Sequence, residues 1–228
     1  MKKTIVSVSA CVLFWQCGLM AGTDVKASKE GASKRDVSIY QVPWRCPAAL
    51  QIGCGSHAKP ILLELEQNPG VSEAWLNRQG TAVAVVWNPD AKRKARRNAE
   101  KTLKEGQASK LSGEARTKTL AYFQSGKGWY RGADVDRLSE EEAGVIAVRW
   151  VRRVQAKTTL TEANAEGLRA ALTEGLKKCL TGKASMPETE EEKARELRRV
   201  AGPFLDEKQL EILSEAAGCG VRAMPNEE

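Results

Sequence analysis

The string Ile52-Gly53-Cys54-Gly55-Ser56-His57 places a thiol and an imidazole three residues apart, on a loop entering a helix. That spacing is close to one helical turn, so both side chains can reach one ion. Free N–H groups at the helix start favour the thiolate form. Thiolate and imidazole are both good donors to zinc and copper, and a two-residue spacer is the usual chelating distance. His57 is the only histidine among 228 residues, which removes every site needing two, including the HExxH zinc helix. Catalysis finds little support. No GxSxG elbow is present, the Cys-His pair has no evident orienting partner, and SGKGWYRG lacks P-loop spacing. Binding is the expected chemistry, with no catalytic residue.

The elements around this string follow from pattern. VSIYQV, from Val37, is β-rich, and CPAALQIGCGSHAKP is a Cys/Gly/Pro loop. ILLELEQ puts Ile61, Leu62 and Leu65 on one helical face before Pro69-Gly70 ends the helix. VSEAWLN and TAVAVVW are strands around the turn Arg78-Gln79-Gly80. After Asn88-Pro89 the texture is helical and charged for over a hundred residues. Ser139 with Glu142 predicts a capping box for a helix through about Val154, and Thr159 with Glu162 another for a helix to about Leu180. A further helix is expected near 190–201. LDEKQLEILSEAAGCGVRAMP reads as a helix, a stop at Gly218 and a short strand.

Strand, helix, strand, strand, with Cys-x-x-His at the helix entry and Pro69-Gly70-Val71 after the helix, resembles the heavy-metal-associated domain. That family comprises copper chaperones and periplasmic mercury-binding proteins, with a ferredoxin-like βαββαβ fold and an M-x-C-x-x-C motif. Counting back from Pro69 aligns Cys54 with the family's first cysteine and His57 with its second. The resemblance implies an α+β module formed by 37–88, closed by 205–225 and split by a helical insertion at 89–204. It also implies a metal site of copper, zinc or mercury type. His57 stands where a cysteine is expected, and residues 47–53 look inserted into the binding loop. Cys46 also falls where the family's first cysteine should be, and Cys219 follows the closing turn beside the metal loop. Cys54, His57, Cys219 and Cys46 are therefore the candidate ligands.

Two other readings of these residues stay open. After export, two of the cysteines could form a structural disulfide and leave His57 a bystander. The module could also have lost metal binding and serve as an interaction protein, its helical insertion recognising a partner. Cys179, near a helix end, reads as a buried or spare thiol. Ion binding would release thiol protons, so affinity should fall at acidic pH.

Composition sets the wider frame. Lys2-Lys3 followed by an apolar run without charge until Asp24 has the form of a secretory signal peptide, 1–22, and 23–36 reads as a tether. A secreted or periplasmic protein is expected, with no membrane span after cleavage. Losing Lys2 and Lys3 leaves 34 basic against 29 acidic residues, net +5 rather than +7. The excess lies in 92–137, which carry 13 basic and 5 acidic residues. Lys92-Arg93-Lys94-Ala95-Arg96-Arg97 is read as a solvated basic helix, since no nucleic-acid motif accompanies it.

Overall fold

Six consecutive apolar residues, AVAVVW, form the strand β3 (Ala82–Trp87), and all six are buried. A strand reads this way when both faces are covered. The computed structural model describes residues 35–185 and 187–224, so the expected signal peptide and most of the tether lie outside the described residues. β3 pairs antiparallel with β1 (Val37–Gln41) on one side, in the register Ile39 to Ala84. On its other side lies β2 (Val71–Asn77), with a bulge between Val71 and Glu73. Two short strands complete the sheet at its edges, β4 (Ser109–Lys110) on β1 and β5 (Trp129–Arg131) on β2. The order is β4-β1-β3-β2-β5, antiparallel throughout.

Alternation along β3 divides the core. Val83, Val85 and Trp87 join α1 (Gly55–Gln67) and α2 (Arg93–Glu105) through Leu62, Leu65 and Leu103. Ala82, Ala84 and Val86 face the opposite side, where Leu120 and Phe123 of α3 (Gly113–Gln124) pack with Trp129. The hairpin turn is fixed by Asn77, whose Oδ1 accepts from the N–H groups of Thr81 and Ala82 at 2.8 and 2.9 Å.

A second core belongs to α4 (Asp136–Gln155), α5 (Glu162–Leu180), α6 (Glu190–Ala201) and α7 (Glu207–Gly218). Cys46, Ala48, Ala49 and Ile52 of the β1–α1 loop are part of that core. The seven residues that look inserted thus tie the sheet to the helices. Lys59 of α1 reaches Asp136 of α4 at 2.7 Å, and the Arg78 guanidinium grips the Glu141 carboxylate.

Among the described residues the chain is α+β, with seven helices and five strands. Several expectations are corrected. Segment 205–225 does not close the sheet: α7 packs against α4 and α6, and no strand follows it among the described residues. The sheet is closed locally by α2 and β4, inside the expected insertion. α2 is overwhelmingly charged, yet Ala99 and Leu103, four residues apart, suffice to seat it on the core. Its Arg96 stacks on Trp87 at 5.1 Å and pairs with Asp36 at 2.6 Å, so the basic helix is partly engaged by the fold. α4 begins after Val135, which places Ser139 and Glu142 inside the helix and buried rather than at its cap. α5 is capped by Thr161, whose hydroxyl accepts from the Asn164 N–H at 3.2 Å.

Candidate metal-binding site

Cys54 is the N-cap of α1, with φ −78° and ψ 102°. Its backbone is locked from both sides. The Cys54 N–H donates to the Trp44 carbonyl at 2.8 Å, and its own carbonyl accepts from Ala58 at 3.1 Å. One residue earlier the Gly53 N–H donates to the Arg78 carbonyl at 2.6 Å. The loop and the β2–β3 turn touch backbone to backbone here. Gly80 sits at φ +66°, and a Cβ on it would lie 2.6 Å from the Gly53 Cα. Only glycine fits that left-handed, crowded position.

His57 follows in the first turn of α1, exposed, with its ring edge-on to Trp44 at 5.8 Å between centroids and 76° between planes. Trp44 is itself fixed: it is 2% exposed, and its indole N–H donates to the Gly106 carbonyl at 2.7 Å. Cys54, His57, Trp44, Arg45, Glu105 and Gln107 line one open pocket of about 360 Å³ where the β1–α1 loop meets the end of α2. The Cys54 Sγ lies 3.4 Å from the Ser56 Oγ. A soft ion in this pocket would find one sulfur and one imidazole, with the remaining positions open to solvent or a partner.

The other two candidate ligands lie elsewhere. Cys46 has no exposed surface and belongs to the core of α4–α7. Burial pushes its thiol up to about 12, helped by the Glu142 carboxylate, and its Sγ accepts from the Ala48 N–H at 3.2 Å. Cys219 is exposed at the C-terminal end of α7, on a separate cleft with Arg152, Lys157 and Lys177. Among the described residues no three His, Cys, Asp or Glu side chains are grouped to hold a metal ion, so a four-ligand convergence does not form. Cys46, Cys54, Cys179 and Cys219 are all free thiols, so the alternative of a structural disulfide is not met among them. Cys179 is half-buried, raised by desolvation and then by Glu196.

The burial of one group escaped the sequence reading. Glu142, assigned there to a helix cap, is a carboxyl only 4% exposed, next to the Cys46 thiol. Burial raises its pKa, and the Cys46 hydrogen bond opposes that shift. Its place in a run of glutamates, Glu140 to Glu142, gives no sign that one of the three faces inward. No helix among the described residues is long and apolar enough to cross a membrane. Compared with known proteins, the chain matches no family model, no curated protein and no solved structure.

Proposed function

We propose that this protein binds a soft or borderline metal ion of copper, zinc or mercury type, for scavenging or delivery outside the cytosol, without catalysing a reaction. Cys54 and His57 are the two protein ligands. One observation carries this reading: a thiol at the N-cap of α1 and an imidazole in its first turn line the same open pocket. The framework supports it. Residues 37–110 run β1-α1-β2-β3-α2-β4 with strand order β4-β1-β3-β2, the arrangement of an uninterrupted ferredoxin-like module. In that module the β1–α1 loop is where the resembling family holds its ion.

A site with two protein ligands is incomplete by design. Structural zinc is enclosed by four protein donors, whereas an ion to be handed on needs accessible positions for the incoming donor. The pocket is open to solvent, and Trp44 restrains the imidazole on one side. The thiol proton leaves as the ion binds, so loading releases acid in proportion to occupancy.

The test is metal analysis of anaerobically purified protein after copper, zinc and mercury challenge, beside Cys54→Ala, His57→Ala, Cys46→Ala and Cys219→Ala. One ion per chain is expected in the parent protein, Cys46→Ala and Cys219→Ala, with loss in Cys54→Ala and His57→Ala. Equal, near-zero metal in all five proteins would retire the reading.

A further inference from the structure

α4, α5, α6 and α7 surround a cavity of about 540 Å³ that shares no lining residue with the pocket of Cys54 and His57. Much of its wall is apolar, with Ile146, Leu172, Leu176, Leu197, Val200 and Val221 contributing. Leu176, Leu197 and Val200 are half-buried around a space that no side chain among the described residues fills. Cys179, Glu190, Lys193, Glu196 and Ser214 also line it, and two of its polar atoms, both on α4, are buried without a hydrogen-bond partner. Glu142 is 4% exposed, and its Oε2 has no hydrogen-bond partner. Trp150 is 9% exposed, and its Nε1–H has none either. Both residues line the cavity.

Buried polar groups are nearly always paired, and an orphaned one destabilises the fold. A buried acceptor and a buried donor left unpaired in the wall of one largely apolar cavity are therefore a pattern that a ligand completes. The volume lies within the usual range for small-molecule sites, which are apolar with a few placed polar groups. The spacing gives the ligand its shape. Residues 142 and 150 are eight apart on one helix, roughly 12 Å along its axis. A ligand lying along α4 can meet both.

We propose that this cavity binds an elongated aliphatic alcohol, its hydroxyl donating to Glu142 Oε2 and an oxygen at its far end accepting from Trp150 Nε1. A hydroxyl can donate to the Glu142 end, and a hydroxyl oxygen can equally accept at the Trp150 end. An ammonium cannot accept from Trp150, and a carboxylate cannot donate to Glu142. The aliphatic middle lies along Leu172, Leu176 and Leu197.

The probe is 1,10-decanediol, whose hydroxyls are separated by about the helical rise between the two residues, titrated into the full chain by calorimetry. Comparators are 1-decanol, decylammonium and decanoate. The diol is expected to bind tightest, with 1-decanol about tenfold weaker for loss of one hydrogen bond. Glu142→Leu and Trp150→Phe should each weaken the diol about tenfold, while Trp150→Phe leaves 1-decanol unchanged. Thermal melts of both variants establish that they fold. Absence of diol binding to the parent chain overturns the proposal. So does tighter binding of decylammonium or decanoate, or equal diol affinity in the parent and both folded variants.

Discussion

Ile52→Ala tests whether the β1–α1 loop couples the sheet to the helices. Ile52 has no exposed surface and packs into the core of α4–α7, while its N–H donates to the Ala49 carbonyl at 3.0 Å and its carbonyl accepts from Cys46 at 2.8 Å. The substitution keeps those backbone bonds and removes only side-chain packing. Deleting this much from a fully buried isoleucine costs about 2–5 kcal/mol, because the cavity collapses only in part. In a chain of this size each kcal/mol lowers Tm by about 2–4 °C, so a drop of roughly 7–14 °C is expected for a mid-range loss. Leu50→Ala supplies the control from the same loop. Leu50 is 61% exposed, so its loss should change stability by less than about 0.5 kcal/mol. The assay is thermal unfolding followed by far-ultraviolet circular dichroism and, separately, by tryptophan fluorescence. One cooperative transition, shifted for both probes in Ile52→Ala and unshifted in Leu50→Ala, is the expected result. Equal effects of the two substitutions would refute the reasoning, as would two transitions of which only one moves.

Three further outcomes follow from the geometry. With its thiol pushed from the ordinary 9.0 to about 12, Cys46 should alkylate at pH 8 at least roughly a thousand-fold more slowly than an unperturbed thiol, read by mass spectrometry, while exposed Cys219 reacts promptly. Gly55→Ala would place a Cβ 2.6 Å from the Val135 carbonyl and 3.0 Å from the Ser139 N–H, so the start of α1 must move off α4. A loss of about 1–3 kcal/mol in urea denaturation is expected. Glu142 is raised in the folded state, chiefly by burial, so the folded chain binds more protons there than the unfolded one. Its contribution is fully present below the unfolded value and declines as pH rises through the folded one. Stability relative to Glu142→Gln, from urea denaturation between pH 4 and 8, should therefore fall as pH rises, and a flat difference would contradict the assignment.

What the sequence disclosed depended on how local the cause was. The β2–β3 hairpin and α1 were legible because the turn Arg78-Gln79-Gly80 and the spacing of Leu62 and Leu65 act within a few residues. The pairing of Cys54 with His57 in one pocket was legible for the same reason, one helical turn. α2 was legible as a basic helix, but its seat on the core was hidden because Ala99 and Leu103 are its only buried residues and ten other positions are charged or polar. Its role in closing the sheet follows from Leu103 meeting that core, a tertiary fact. Cys46 and Cys219 were assigned to the site by family register. The packing of Cys46 beside Glu142, 96 residues later in the chain, decides otherwise for the first. α7 seated on α4 and α6 decides it for the second. Ser139 and Glu142 carry the right spacing for a cap, but α4 starts earlier and turns both inward.

The most direct test of the metal reading is X-ray absorption on the protein loaded with a single equivalent of zinc, in buffer free of thiols. The account predicts one sulfur scatterer at about 2.3 Å and one imidazole nitrogen at about 2.0 Å, with light solvent atoms completing the shell. Two or more sulfurs per ion, or a shell without imidazole, would contradict it.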